Sequence, residues 1–139
     1  MIRKRSRARE VALQLLFQHE LNPEIVRPLI EAFANERLKD ASAEAFALQL
    51  FDGVLAQRDE LDRLIGDAAR NWRAGRMPIV DRNALRIGVF ELLHAAETPA
   101  TVAINEAIEL ARRFGSVDSP GFVNGVLDQV RRRSTRTDG

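Results

Sequence analysis

The sequence predicts an all-α domain of about seven helices. Apolar residues recur at three- and four-residue steps along most of the chain, which is the period of an amphipathic helix. No segment alternates apolar and polar residues for long enough to indicate a strand, and there is no internal repeat or low-complexity tract. With 139 residues, the chain is long enough for one domain, 1–139, that buries roughly two thirds of its unfolded surface.

The first helix is predicted to start near Ser6 and to be buried on most sides. Its apolar residues cover about two thirds of the helical circumference. They are Val11, Ala12, Leu13, Leu15, Leu16 and Phe17. The polar residues form a narrow ribbon made of Arg7, Gln14 and Gln18, with Glu10 and Phe17 at its edges.

The next three helices are bounded by residues that start or stop helices. Asn22-Pro23 ends the first helix, and a second is predicted to extend to about Leu38 although Pro28 falls in its first turns. Ser42 is predicted as the N-cap of the third helix. A fourth helix carries an apolar stripe that reaches Trp72.

Residues 73–78 contain a glycine and a proline and are predicted to form a loop between two helical halves. The fifth helix, about 79–95, has apolar residues almost all round and should be central. A sixth helix is predicted with Thr98 as N-cap and Pro99 in its first position. Gly115 is predicted to end it in a left-handed conformation.

A seventh helix is predicted to begin near Pro120, with Asp118 or Ser119 as its N-cap. Gly121 and Gly125 lie four residues apart on one side of it, and we expect them to be sites of close helix approach. The apolar stripe of this helix is Phe122, Val123, Val126, Leu127 and Val130.

Catalytic, metal and cofactor sites are not predicted. The chain has no cysteine, and His19 and His94 are isolated in apolar helix patterns that favour packed or partly exposed roles. No glycine-rich phosphate-binding motif occurs. Glu106 and Glu109 have a simpler explanation than acid–base catalysis, because the following arginines at 112–113 would pair with them on a solvated face.

The N-terminus lacks the features of a signal peptide or a membrane span. Its basic start leads into a helical pattern interrupted by Gln14 and Gln18, not into an uninterrupted apolar segment. The absence of cysteine fits a reducing compartment. We therefore expect an intracellular, cytoplasmic protein.

The ends of the chain carry a net positive charge and the rest carries a net negative charge. The net charge is +1, but residues 1–9 carry +5 and residues 131–139 carry +3, so residues 10–130 carry −7. The bases of the first segment are Arg3, Lys4, Arg5, Arg7 and Arg9. Arginine suits phosphate oxygens and stacks on bases, so this segment predicts nucleic-acid binding; a disordered solubilising tail is the alternative.

The polar ribbon favours RNA binding over the alternative of a disordered solubilising tail. Gln14 and Gln18 could hydrogen-bond to base edges, and specific RNA readers mostly bind unstacked single strands. Phe17 and Phe122 are the candidate stacking platforms, although burial in the core is the commoner fate of phenylalanine. The acidic body could attract a basic protein partner without competing for the RNA.

Three blocks of the sequence resemble the NusB family of bacterial transcription antitermination factors. They are RAREVALQLLFQHE at 7–20, RMPIVDRNALRIGVFELLH at 76–94 and VAINEAIELARRFGSVDSPGFVNGVLDQV at 102–130. Together they cover roughly half the chain in the family's order. The resemblance implies two packed helical subbundles, with the loop at 73–78 between them.

The resemblance also implies a function. NusB-like proteins bind boxA RNA together with the ribosomal protein NusE, and with other Nus factors they help RNA polymerase pass terminators, notably on ribosomal RNA operons. The RNA-binding positions implied here are Arg5, Arg7 and Arg9, and Phe122 beside Asp118. Helix capping is the alternative role of Asp118.

The resemblance places NusE on the second helical half. Asp81 stands where the family carries an acidic residue, although the helix dipole alone would favour an acid there. Phe17, commonly tyrosine in the family, is grouped with Asp81 as a partner contact. Two other functions remain open: the NusB-like module of an RNA cytosine methyltransferase, which the absence of a methyl-donor domain disfavours, and a structural homodimer that covers the arginine-rich helix.

Overall fold

The computed structural model describes residues 3–69 and 76–134, which form seven α-helices and, within those ranges, no strand. The helices are α1 (Lys4–Leu21), α2 (Arg27–Leu38), α3 (Ala41–Ala56), α4 (Arg58–Ala69), α5 (Ile79–His94), α6 (Ala100–Phe114) and α7 (Ser119–Arg133). The predicted all-α class and number of helices are confirmed. Trp72, expected in the fourth helix, lies outside the described residues. None of the described helices has the length and apolar character needed to cross a bilayer.

The helices pack in two groups, α1 to α3 and α4 to α7, which meet mainly where α5 contacts α1 and α3. The first three helices pack on one another, α4 packs against α5 and α7, and α5 also contacts α1 and α3. The division therefore falls at Gln57, between α3 and α4. The sequence placed it one helix too late, because the apolar stripe of α4 does not tell which neighbour it packs against. The predicted junction at 73–78 connects α4 to α5 within the second group, and its residues 73–75 lie outside the described residues.

The core confirms the central position of α5. Its buried side chains include Leu85, Ile87, Val89 and Leu92, which point in several directions around the helix. In α1, Leu16 is buried in the core, as the helical wheel predicts.

Close helix approach occurs at Gly88, not at the predicted glycines of α7. A Cβ atom on Gly88 would lie 3.0 Å from a methyl carbon of Leu127 and 3.1 Å from the Cβ of Ala107. A Cβ atom on Gly121 or Gly125 would meet nothing within 4 Å. The expectation of close approach at Gly121 and Gly125 is therefore wrong, because their side of α7 faces open space.

Alanine substitutions should separate these two kinds of glycine. We expect Gly88→Ala to lower the free energy of unfolding by about 1–3 kcal/mol, because the overpacking of the α5–α6–α7 contact by the added methyl should exceed the gain in helix propensity. Gly121→Ala should raise it by about 0.5–1 kcal/mol through helix propensity alone. Urea unfolding followed by circular dichroism measures both, and a stabilised Gly88→Ala variant would contradict the packing.

The turn between α6 and α7 depends on a close contact. Gly115 has φ −100° and ψ −160°, which is extended and not the predicted left-handed conformation. Glycine is needed there because a Cβ atom would lie 2.5 Å from Ser119 Oγ and 2.7 Å from the carbonyl oxygen of Ala111. Ser119 Oγ accepts a hydrogen bond of 2.9 Å from the amide of Ser116. Asp118 occupies the N-cap position of α7 but its side chain makes no capping hydrogen bond, so the predicted capping role is not observed.

Two other helix starts differ from the prediction by one or two residues. The cap of α3 is Asp40 and not Ser42: Asp40 Oδ2 accepts a 2.9 Å hydrogen bond from the amide of Ala43. A hydrogen bond from Lys4, reinforced by that amide, holds the pKa of Asp40 below its usual value. In α6 the N-cap position is taken by Pro99, one residue after the predicted Thr98.

Candidate nucleic-acid interface

The basic segment, defined here as Arg3, Lys4 and Arg5, lies exposed where α1 begins. Arg3 is the N-cap residue, and the guanidinium of Arg5 lies 4.2 Å from the centre of the Phe46 ring. Lys4 Nζ lies 2.9 Å from a carboxylate oxygen of Asp40. Such exposed contacts are weak, so they orient these cations without neutralising them. The segment borders a concavity of about 560 Å³ that it shares with the start of α6.

Arg7 stands at the margin of this surface. Its side chain is 42% exposed, and Nη2 donates a 3.3 Å hydrogen bond to the carbonyl oxygen of Arg37. Nη1 lies 3.6 Å from the buried carboxylate of Glu10. Arg7 is therefore partly committed to contacts within the protein and partly exposed to solvent.

Arg9 does not belong to the exposed cations with which the sequence groups it. Its side chain is only 3% exposed, and it binds Glu91 through two hydrogen bonds of 2.7 and 2.8 Å. A third hydrogen bond, of 3.0 Å, joins it to Glu106. Burial by itself lowers the pKa of Arg9, but the hydrogen bonds and charges of Glu91 and Glu106 outweigh it and raise that pKa. The expectation that Arg9 contacts RNA is therefore corrected, because its guanidinium faces inward and is held by Glu91 and Glu106.

Two charged residues of α6 bind residues of α1, which the sequence does not predict. Glu109 and Arg112 form the expected exposed ion pair, at 2.7 Å. Glu106 instead accepts hydrogen bonds from Ser6 and Arg9 on α1. Arg113 pairs with Glu10, again on α1. Two of the four residues expected on a solvated face therefore hold α1 against α6.

The polar ribbon of α1 borders an apolar groove. Gln14, Phe17 and Gln18 contribute one wall, and the cavity between α1, α2, α5 and α6 has a volume of about 460 Å³. The other lining residues are Leu13, Phe33, Ile79, Val80, Asn83 and Phe114. Phe17 is 43% exposed, so it is not the core residue that its apolar character favoured. The surface around the two glutamines is mainly hydrocarbon, which fits a protein side chain better than a phosphate backbone.

Three exposed apolar residues at the end of α1 and the start of α2 were missed by sequence reasoning. Leu21, Val26 and Leu29 are 70%, 56% and 60% exposed, at the end of α1 and the start of α2. The signal was present in the sequence, because the apolar residues of the second helix are more than one buried face requires. Large apolar side chains with this much exposure are candidates for an interaction surface.

Phe122, Asp118 and Asp81 come together at the other end of α6 from the basic segment. They line a cavity of about 330 Å³ with Pro78 and Ser116. Asp81 is only 4% exposed, and its Oδ1 has no hydrogen-bond partner among the described residues. Because α6 has 15 residues, about 22 Å at 1.5 Å per residue separate this cavity from the basic segment. The structure therefore does not bring Phe122 together with the arginines.

The histidines have the packed, partly exposed roles that the sequence favours. The ring of His19 meets that of Phe51 edge-on at 6.0 Å, and His94 Nε2 lies 3.2 Å from Glu60 Oε1. Within the described ranges, no group of three or more potential metal-ligating side chains is found.

Similarity to known proteins covers nearly the whole of this fold. A family model described as "NusB family" matches residues 6–132. The chain belongs to the NusB family. Transcription antitermination protein NusB of Desulfotalea psychrophila is 45% identical to it over an alignment of 130 residues, which covers 89% of this chain and 92% of that protein. The similarity thus includes α2, which none of the three resembling sequence blocks covers.

Solved NusB structures share the arrangement of helices. NusB from T. maritima superposes with a TM-score of 0.82 at 35% identity, covering 95% of this chain and 93% of that one. A second NusB-family structure, a complex of the antitermination factors NusB and NusE with dsRNA, superposes with a TM-score of 0.84 at 28% identity. That superposition covers 96% of this chain and 99% of the other.

Proposed function

We propose that this NusB-family protein is a non-enzymatic RNA-binding adaptor of transcription antitermination. With a NusE partner it binds boxA RNA, and with other Nus factors it helps RNA polymerase transcribe through terminators, notably in ribosomal RNA operons. We place it in the cytoplasm, where transcription occurs in bacteria. The observation that carries this proposal is the similarity over 96% of the chain to a protein solved with NusE and RNA.

The proposed RNA surface starts at the basic segment. Arg3, Lys4 and Arg5 are exposed and held only by weak contacts, so they can exchange solvent counterions for phosphates. Arg7 adds a partly exposed guanidinium beside them. Phe122 and Asp118 are the more distant proposed contacts, and an RNA that reached them would have to follow the length of α6. Phe122 is partly buried at the cavity that it shares with Asp118.

The proposed partner surface is the apolar groove together with the exposed apolar residues Leu21, Val26 and Leu29. Phe17, Leu21 and Val26 offer hydrocarbon, while Gln14 and Gln18 offer hydrogen bonds at the rim. We therefore assign the two glutamines to the protein partner instead of the RNA. The charge of −7 on residues 10–130 favours a basic partner such as a ribosomal protein. Asp81 is proposed to face the same partner from the neighbouring cavity.

Fluorescence anisotropy with labelled RNA tests the proposal. We would titrate single-stranded boxA RNA, a scrambled single strand of equal length and a duplex of the same sequence, each with and without NusE, at two salt concentrations. The duplex matters because the related complex contains dsRNA, whereas the sequence favours a single strand. A preference for boxA that strengthens with NusE is expected. Equal weak binding to all three RNAs, unchanged by NusE, would refute the adaptor function.

The basic segment should dominate the salt dependence of RNA binding. Replacing Arg3, Lys4 and Arg5 by alanine is expected to reduce the slope of log K against log salt by about 0.7 for each phosphate of a single strand that the protein no longer neutralises. Arg58→Ala with Arg63→Ala, both exposed on α4, is the control and should leave the slope nearly unchanged. An unaltered slope in the triple variant would remove the segment from the RNA surface.

Phe17 should matter to the partner and not to the RNA. We expect Phe17→Ser to weaken NusE binding by about 2 kcal/mol, roughly 30-fold, as loss of an aromatic anchor does at an interface. Val102→Ser is the matched control, since Val102 is 42% exposed but lies beside the basic segment. Isothermal titration calorimetry measures both affinities, and equal losses in the two variants would contradict a partner surface at the groove.

The structural homodimer is the second candidate, favoured by the same exposed apolar groove. A dimer that buries Phe17, Leu21 and Val26 would occupy the proposed partner surface, so it would keep twice the monomer mass after NusE is added. Light scattering with and without RNA and NusE distinguishes the two functions, because an adaptor should yield a complex with one copy of each component.

A further inference from the structure

The last turn of α7 carries a second group of arginines, Arg131, Arg132 and Arg133. Arg132 and Arg133 are exposed, and Arg132 lies 3.0 Å from the carboxylate of Asp128. Both side chains of that pair are largely solvated, at 71% and 48% exposure, so the contact is weak and salt-sensitive. The turn therefore presents a net positive charge to solvent.

The directions of the helices place this turn at the end of the molecule that carries the basic segment. In α1 and α6, Ser6 and Arg9 reach Glu106, while Glu10 reaches Arg113. Residue numbers therefore rise in the same direction, so α1 and α6 run parallel and begin at the same end. The concavity lined by the basic segment together with Pro99 and Val102 confirms this.

α7 runs back along α6 towards that end. The two helices are joined by the short turn at 115–118 and pack along their length. Gly88 of α5 lies against both Ala107 and Leu127, which are near the middles of α6 and α7, as an antiparallel pair joined by a short turn requires. The C-terminal turn of α7 thus lies where α6 begins, and α6 packs against both α1 and α7. The first turn of α6 is flanked by the two arginine groups.

We propose that the last turn of α7 is a second RNA-contact surface, which holds backbone phosphates of an RNA longer than the basic segment can cover. This inference rests on the proposed RNA-binding function and extends its site across the start of α6. Arginine suits the role because its planar guanidinium donates two hydrogen bonds to phosphate. The contact would be independent of sequence, since phosphates fix position and do not report base identity.

The helix dipole offers a different reason for the arginines, because cations stabilise a helix C-terminus. That role predicts an effect on stability and none on RNA affinity. The two explanations are therefore separated by measuring thermal unfolding and RNA binding on the same variants.

The experiment compares Arg132→Ala/Arg133→Ala with Arg58→Ala/Arg63→Ala, which removes equal charge from exposed positions of α4. The matched control is apt because Arg63 also pairs with an acid four residues away, Asp67 at 3.8 Å. Each variant is titrated by anisotropy with a boxA RNA alone and with the same RNA extended by unstructured nucleotides on either side. The complex with NusE is used throughout, at several salt concentrations.

We expect the α7 variant to bind the short RNA like the wild type and the extended RNA about tenfold more weakly. Its salt slope with the extended RNA should be lower by about 1.4, because two phosphates are no longer neutralised. The α4 control should change neither. Equal affinity of the α7 variant and the wild type for the extended RNA would overturn the inference. If the wild type itself showed no preference for boxA, the proposed function would fail, which is a separate result.

Discussion

Replacing Glu91 by alanine is expected to lower the free energy of unfolding by about 3–5 kcal/mol, because it leaves the guanidinium of Arg9 buried without its main counter-charge. Glu91 is fully buried, and both of its carboxylate oxygens accept hydrogen bonds from Arg9. Glu106 supplies a single further hydrogen bond, so it cannot replace the missing pair. Urea denaturation of the variant and the wild type measures the difference.

Glu109→Ala is the matched control for this prediction. Glu109 also pairs with an arginine, Arg112 at 2.7 Å, but both side chains are about half exposed or more. We expect a change within about 0.5 kcal/mol there, because exposed ion pairs contribute little. The double variant Arg9→Met/Glu91→Leu should recover much of the loss, since apolar side chains of similar volume need no counter-charge. A loss under about 1 kcal/mol for Glu91→Ala would show that Arg9 finds solvent or another partner.

Leu16→Ala is expected to lower the free energy of unfolding by about 2–5 kcal/mol. Leu16 is 2% exposed and lies in the core cluster to which α1, α3 and α5 contribute. Shortening it removes buried methyl groups and leaves a cavity that the neighbouring helices can only partly close. The same denaturation experiment gives the value.

Leu21→Ala, on the same helix, serves as the comparison. Its side chain is 70% exposed, so truncation should change stability by no more than about 0.5 kcal/mol. Similar losses at the two positions would mean that α1 is rotated relative to its described orientation.

Helix number and the central position of α5 followed from apolar periodicity, since a helix that is apolar all round has to be buried on all sides. The details of helix ends were less predictable. Ser42 and Thr98 were reasonable caps by residue type, but Asp40 and Pro99 occupy those positions. Residue preferences at helix ends differ by about 1 kcal/mol, so packing of the neighbouring turn selects among them.

The candidate site was predictable where it depends on composition and unpredictable where it depends on contacts. The exposure of Arg3, Lys4 and Arg5 agrees with the interpretation of a charged segment. Arg9 belongs to the same run of sequence but turns inward to pair with Glu91. This pairing could not be predicted, because Glu91 lies 82 residues away in the chain. Phe17 was expected to be buried more often than not, yet it borders the groove.

Residue type and local spacing were enough to establish the all-α class, the NusB family resemblance and the concentration of positive charge at the two ends. Which of those charges face water depends instead on how the helices pack. Helix packing pairs Arg9 with Glu91 and brings Glu106 and Arg113 into contact with residues of α1. It leaves Leu21 exposed. The physical reason is that burial and ion pairing are properties of helix-to-helix contacts, and the direction in which each helix packs is not encoded in its own periodicity.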